Sequence, residues 1–351
     1  MTIQKAQQSR RENVDFDNLV FGKEMSDHMF AMDFRDGVWG DSHILPYGEV
    51  GMALSLSALH YGQSVFEGMK AFWGADGKVR VFRPRDHYKR LMRSCERMCI
   101  PQFDYDHFIS AIRTLMELDR TWIPKERGKS LYIRPVVFAI DYSLGLKPSL
   151  SYRFAILTSP MGYYYPEGMK PVKLMTSGEY VRAVRGGVGD VKTAGNYAAS
   201  MLPFKEAHEQ GFSQILWLNA HDNATIEEAG VMNVFFVINS VLITPALSGS
   251  ILPGITRDSV LALAREKGMI VEERAITIQE VFDAGHIGKL QEAFGTGTAA
   301  VIAPIGLIHH DGNEMNINNN KIGPMTEMFY YDMTAIQYGE KEDYLGWCEI
   351  V

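Results

Sequence analysis

Apolar residues along the chain recur with a period of two in several short runs and with the 3.6-residue period of a helix in others. Lys78–Arg83 (KVRVFR) alternates like a half-buried strand. Asp86 then stands as an N-cap before a helical pattern that reaches about Cys99 and must stop before Pro101. Leu131–Ile140 and Tyr152–Thr158 read as buried strands. The stretch Ser159–Pro171 (SPMGYYYPEGMKP) is dense in Pro, Gly and Tyr and separates two strand-like runs, so it predicts a domain boundary. Beyond it, Val172–Thr176, Gln214–Leu218 and Asn233–Ile238 read as strands. Tyr197–Gln210 reads as a helix closed by Gly211, kinked or shortened by Pro203. Thr256–Lys267 is expected as a helix closed by Gly268. Met325–Tyr338, apolar at 325, 328, 329, 333 and 336, is expected as an amphipathic helix ended by Gly339 and packed on the second domain. Strands interleaved with helices place the chain in the α/β or α+β class. At 351 residues it has room for about two domains. The expected division is 1–160, a linker at 161–172, and 173–351.

Composition narrows the partners rather than the fold. Apolar types make up 46% and charged types 22%, ordinary for a globular chain. Lysine and arginine number 35 against 42 acids, a net charge of −7 with no basic tail. Nucleic acid or an anionic membrane is therefore not expected as the main partner, although a local basic site for a small anion fits. Three cysteines, Cys95, Cys99 and Cys348, argue against a disulfide framework; Cys95 and Cys99 read as small core residues. Neither His-Glu-x-x-His nor Cys-x-x-Cys occurs, so no metal is expected. Residues 1–18 are polar and precede no apolar segment; Lys5, Arg10 and Arg11 hint faintly at a transit peptide, but Glu12, Asp15 and Asp17 soon follow. The longest apolar run, near Val231–Ile243, is broken by Asn233, Asn239 and Ser240. A cytoplasmic protein is the expectation.

Five clusters carry candidate chemistry. Arg185–Tyr197 (RGGVGDVKTAGNY) surrounds Lys192 with small residues that let backbone approach a ligand closely. Val191 stands where a P-loop needs glycine, so a nucleotide cradle fails; alone, the segment reads first as a surface turn with a solvated lysine. Phe294–Ala300 (FGTGTAA) has the form G-x-G-x-x-A, but a strand-like run through Pro304 follows instead of a helix. A tight turn with available N–H groups, or a plain hairpin, remains. Ile251–Thr256 (ILPGIT) opens a helix whose Ile255 and Thr256 amides would suit phosphate, or would simply be capped. Thr225–Asn233 (TIEEAGVMN) sets Glu227 and Glu228 before a buried strand, where acids are costly unless paired; solvated surface acids are the plainer reading. In Arg85–Arg97 (RDHYKRLMRSCER), Arg90, Arg93 and Arg97 form one stripe, usually a solvated helix face.

Together the clusters offer a lysine for an aldehyde, an acid to keep a ring nitrogen protonated, and donors for a phosphate. Those are the parts that pyridoxal 5'-phosphate requires. At this point the chain resembles the branched-chain amino acid aminotransferases, in the longer, eukaryotic-type branch of the fold type IV pyridoxal-phosphate enzymes. The likeness runs from about Phe21 to Tyr338 and is strongest at Leu59–Phe72 (LHYGQSVFEGMKAF), Gly186–Tyr197, Glu228–Asn233 (EAGVMN), Leu252–Arg257 (LPGITR) and Gly295–Ala299. It implies a two-domain α/β (α+β) fold, with a small N-terminal domain, a larger C-terminal cofactor-binding domain and the site between them. It also implies reversible transamination of L-leucine, L-isoleucine and L-valine with 2-oxoglutarate, in two half-reactions.

The resemblance further implies residue roles. Lys192 carries the cofactor as a Schiff base and moves the proton. Glu228, rather than its neighbour Glu227, pairs with the pyridine nitrogen. Tyr197 donates to the ring oxygen. Arg90, Thr298 and the amides of Ile255 and Thr256 grip the phosphate. The turn amides of Thr298 and Ala299 hold the α-carboxylate. Phe21, Tyr61, Phe66, Tyr132, Tyr163 and Val231 wall an apolar pocket, and Arg134 with Tyr132 receives the distal carboxylate of glutamate. A homodimer is implied in which the loop Asp141–Lys147 offers Leu144 and Leu146 to the partner's site. Two departures stand out. Ala300 and Ala303 replace the redox cysteine pair of some relatives, and Val231 replaces a threonine. A D-amino acid aminotransferase or an aminodeoxychorismate lyase would use the same cofactor set. No histidine lies between His107 and His208 to form the Arg-x-His carboxylate trap of the former. A nicotinamide dehydrogenase built on Gly295–Ala300 is the remote alternative.

Overall fold

The computed structural model describes residues 1–164 and 169–351; the middle of the expected linker, 165–168, lies outside the described residues. The chain forms two compact units, one of residues 1–164, 191–195 and 335–351 and the other of the remainder, 165–190 and 196–334. The Lys192 segment and the C-terminal residues thus group with the N-terminal unit.

The strands of the first unit are β1 (Thr2–Ile3), β2 (His28–Arg35), β3 (Val38–Pro46), β4 (Ser64–Phe66), β5 (Met69–Trp73), β6 (Val79–Phe82), β7 (Ser130–Ala139) and β8 (Tyr152–Met161). They join the C-terminal strand Cys348–Ile350 in one nine-stranded sheet, in the order β1-β3-β2-β8-β7-β5-β6-C-terminal strand, with β4 on β7. After the short α1 (Ser57–Tyr61) come α2 (Pro84–Arg97) and α3 (Tyr105–Leu118). Leu91 and Cys95 of α2 and Phe108, Ile112 and Leu115 of α3 are buried with Met69, Ala71, Ile133, Val137, Phe154 and Ile156 of the sheet. The facing row Met69–Ile133–Thr158 runs across three strands, so the period-two alternation sends the next row, Lys70–Tyr132–Ser159, to the opposite face.

The second unit continues with β9 (Val172–Thr176), β10 (Gln214–Leu218), β11 (Ile226–Ala229), β12 (Asn233–Ile238), β13 (Val241–Thr244), β14 (Val271–Glu273), β15 (Leu290–Gly297), β16 (Val301–His310) and β17 (Asn313–Asn316). They pair in the order β11-β10-β9-β16-β15-β12-β13-β14, with β17 on β16. The helix α7 (Ile278–His286) buries Ile278, Val281 and Phe282 with Leu216, Val234, Phe236, Ile243 and Ile305. The helix α6 (Ile255–Glu266) packs on β14 and β15.

Local chemistry explains where the elements depart from the pattern reading. Pro84 takes the first helical position of α2, where its missing N–H is harmless. The helix therefore starts two residues early, and Asp86 lies in its first turn instead of capping it. It ends at Arg97, and Cys99 is exposed at positive φ, so Cys99 is not a core residue. The expected helix over 197–210 is broken into α4 (Ala194–Ala198) and α5 (Met201–Glu209). The break places Pro203 in the first turn of α5, where no amide is owed to a preceding carbonyl. Gly211, Gly268 and Gly339 close their helices in the left-handed region. The helix expected over 325–338 is α8 (Pro324–Gln337). Among the described residues, no helix is long and apolar enough to cross a membrane.

Candidate active site

In the first unit, α2 holds two functional positions at once. Arg90 is buried and turned inward, whereas Arg93 and Arg97 are exposed, so the arginine stripe divides at its first member. Arg90 donates from Nε to Glu67 Oε1 at 2.7 Å and from Nη2 to Oε2 at 2.9 Å. His87, one turn earlier, meets Oε2 through Nδ1 at 2.8 Å. Burial alone would raise the carboxyl pKa of Glu67, but the charges of Arg90 and His87 more than offset it and hold the group well below the usual carboxylate range. Burial pushes the His87 imidazole down, against the pull of Glu67.

Ser94, one turn beyond Arg90, donates to the Arg90 carbonyl at 2.9 Å and accepts the Lys192 N–H at 3.0 Å. The Lys192 carbonyl accepts the Phe66 N–H at 3.0 Å, and Thr193 donates to the Ser64 carbonyl at 2.9 Å. Lys192 is therefore fixed through its backbone on both sides, not carried on a solvated turn. Its Nζ lies 4.9 Å from the centre of the Phe66 ring. The Arg134 guanidinium lies 4.7 Å from the same ring, and Arg134 Nη2 donates to the Tyr132 hydroxyl at 3.1 Å. Phe21 stands edge-on to Tyr132 at 4.9 Å. A Cβ at Gly68 would fall 1.9 Å from the Tyr132 hydroxyl oxygen, so a residue without a side chain is needed there to seat this tyrosine.

Two expected wall residues stand elsewhere in this unit. Tyr61 donates its hydroxyl to the carbonyl of Leu144, so it belongs with the Asp141–Lys147 loop. In that loop Leu144 and Leu146 are 68% and 81% exposed. Tyr163 bonds to Glu126 and lies under Lys129.

The second unit contributes a different kind of chemistry. Glu227 and Glu228 are both buried in β11, which overturns the reading as solvated acids. Neighbours on a strand point to opposite faces, so their surroundings differ. Glu228 Oε2 pairs with Arg182 Nε at 2.7 Å, and Oε1 accepts the Leu252 N–H at 2.9 Å and Asn233 Nδ2 at 3.3 Å. Glu227 instead accepts from Asn219 and Ser250. Arg182 also donates to the carbonyls of Gly189 and Ser250. A Cβ on Gly189 would strike the Ser250 carbonyl oxygen at 2.3 Å, so this glycine of the cluster serves close packing.

Gly254 opens α6 without a side-chain cap, and Ile255 and Thr256 form its first turn. A Cβ on Gly254 would lie 1.9 Å from Asn233 Oδ1, so the approach to that helix terminus requires glycine. Phe294–Ala300 is the antiparallel hairpin expected, with Thr298 and Ala299 half-buried in its turn. Tyr197 is half-buried in α4, and Val231 is exposed in the turn between β11 and β12. Each unit thus gathers part of the expected set. Its donors suit a phosphorylated aldehyde with a basic ring nitrogen: a fixed lysine and an arginine in one unit, and a buried ionic carboxylate and an uncapped helix start in the other. Sequence reasoning missed Glu67, Ser94 and Arg182. Glu67 and Ser94 sit inside quoted segments, and their signal was helical spacing from Arg90 and an acid in an otherwise apolar run.

The amino-transferase class IV family profile matches residues 64–308. The chain is 47% identical over 339 residues to branched-chain-amino-acid transaminase 1 of Bacillus subtilis (strain 168), covering 96% of this chain and 95% of that protein. The crystal structure of the branched-chain amino acid aminotransferase of Escherichia coli superposes with a TM-score of 0.77 at 29% identity, covering 92% of this chain and 98% of that one. A thermophile's enzyme of the same name, T.th. branched-chain amino acid aminotransferase with pyridoxamine 5'-phosphate, superposes with a TM-score of 0.75 at 27% identity, covering 91% and 97%.

Proposed function

The chain belongs to the class IV aminotransferase family, and from that premise we propose how its residues carry out the transamination of branched-chain amino acids. The cofactor we assign is pyridoxal 5'-phosphate, whose amino form accompanies the T.th. relative. When bound, it supplies an aldehyde that takes up an amino group and a ring that accepts electrons from the substrate Cα.

Lys192 holds the cofactor and, once released by the incoming amino acid, moves the proton at Cα. Its fixed backbone and its seat on Phe66 are the observation that carries this reading, because a proton carrier must be positioned before it can be fast. Glu228, kept ionic by Arg182, holds a proton on the ring nitrogen. Tyr197 donates to the ring oxygen. Arg90, oriented by Glu67, binds the phosphate with Thr298 and the Ile255 and Thr256 amides. The Thr298 and Ala299 amides orient the α-carboxylate. Phe21, Phe66, Tyr132, Tyr163 and Val231 exclude water from the branched side chain, whose burial is worth about 1.5–3 kcal/mol. Arg134, steadied by Tyr132, receives the distal carboxylate of L-glutamate or 2-oxoglutarate.

The reading includes a working division at 161–172, a homodimer and a cytoplasmic setting. The exposed Leu144 and Leu146 support the dimer, and Tyr61 travels with their loop. The test supplies the purified protein with pyridoxal 5'-phosphate and 2-oxoglutarate and measures L-glutamate. Formation with L-leucine, its loss in Lys192→Ala and a dimer by light scattering are expected. Turnover with D-alanine but not L-leucine would move the chain to the D-amino acid relatives.

A further inference from the structure

The face of the first sheet turned away from α2 and α3 carries more polar chemistry than the proposed Arg134 contact uses. Lys70 of β5 lies directly opposite Tyr132 of β7, and Tyr132 lies directly opposite Ser159 of β8. Directly opposed residues place their Cβ atoms about 4.5–5.5 Å apart on the same face, so these three side chains form one lateral row. Arg134, two residues along β7, shares that face and bonds to the Tyr132 hydroxyl. The row is buried: Lys70 is 7%, Tyr132 7% and Ser159 4% exposed. The Ser159 hydroxyl and Arg134 Nε are buried without a hydrogen-bond partner. Such groups are costly to leave unmatched in a folded chain unless something else binds them. Burial also pushes the Lys70 ammonium down to about 7, and a carboxylate beside it would reverse that displacement.

We infer that Lys70 and Ser159 complete, with Tyr132 and Arg134, the pocket for the distal carboxylate of the dicarboxylate substrate, with Lys70 as its second cation. The inference rests on the reading of Arg134 above and adds two residues to it. Two hydroxyls, one guanidinium and one ammonium offer donors to both oxygens of a carboxylate, and no acid of this row competes for them. A branched aliphatic side chain uses none of these donors, so the two cations discriminate between the two classes of substrate that a single pocket must accept in turn.

The experiment measures kcat/KM for 2-oxoglutarate and for the monocarboxylate acceptor 4-methyl-2-oxopentanoate in the cofactor-loaded enzyme. Lys70→Met should lower the dicarboxylate-to-monocarboxylate ratio by about 10–100-fold, through a higher KM for the dicarboxylate. Ser159→Ala should lower it by about 2–10-fold, and Lys70→Arg should restore most of what methionine loses. An unchanged ratio in both Lys70→Met and Ser159→Ala, or an equal loss toward both acceptors, overturns the inference. Arg134→Ala separates the two levels. If it lowers the ratio and Lys70→Met does not, only the added residues fail; if it leaves the ratio intact, the underlying reading of Arg134 fails.

Discussion

The two units build their parts of the site from different materials. In the first unit the functional groups are side chains of strands and of α2: Lys192, Arg90, Arg134, Tyr132 and Phe66, each locked by a neighbour such as Ser94, Glu67 or Gly68. In the second unit, Glu228 is the main charged side chain, and much of the remainder is backbone: the first turn of α6 and the turn at Thr298 and Ala299. Side chains can be deleted one at a time, whereas an amide persists whatever side chain it bears. The first unit should therefore be sensitive to substitution at many positions, and the second at few.

The largest effect is expected at the exception in the second unit. Glu228→Gln keeps the shape but removes the charge, and kcat should fall on the order of 10²-fold or more. Glu227→Gln, on the opposite face of the same strand, should leave kcat within about threefold; equal losses at both would abolish the distinction drawn between the two acids.

Next comes a stability effect in the first unit. Arg90→Ala leaves Glu67 buried without its cation, which costs about 3–5 kcal/mol in unfolding free energy. Adding Glu67→Gln should recover part of that in denaturant melts, and no recovery would show that Arg90 acts through something other than Glu67. The pH dependence has a definite sign. Because the Glu67 pKa is lowered on folding, its contribution is present above the ordinary carboxylate pKa and is lost as pH falls. Glu67→Gln should therefore remove part of the acid-side loss of stability.

The smallest effect is expected at Ile255→Ala. The amide that would meet the phosphate remains, so cofactor affinity in a pyridoxal 5'-phosphate titration should change by less than about threefold. A loss as large as that of Arg90→Ala would mean that the second unit, too, works through its side chains.

Much of this was legible in the chain itself, and the reason lies in what each feature depends on. The strands Val172–Thr176, Gln214–Leu218 and Asn233–Ile238 occur with the ends expected, because each is a short apolar run bounded by local breakers. Helix ends at Gly211, Gly268 and Gly339 follow from local dihedral preference alone. The break between α4 and α5 and the early start of α2 were misjudged because proline position relative to the first turn, not proline content, decides the outcome.

Residue type and local spacing were enough for the class of fold, the turns and, by resemblance, the identity of Lys192, Glu228, Arg90 and Tyr197 as the chemical set. Each of those depends on positions within a few turns of chain. Folding selected which of three arginines faces inward, which of two adjacent acids meets Arg182, and that Ser94 ties Lys192 to the helix of Arg90. It also placed Lys70, Tyr132 and Ser159, 62 and 27 residues apart in sequence, in one buried row. Burial and strand register join residues that are remote along the chain, and no local pattern encodes which remote residue will stand opposite.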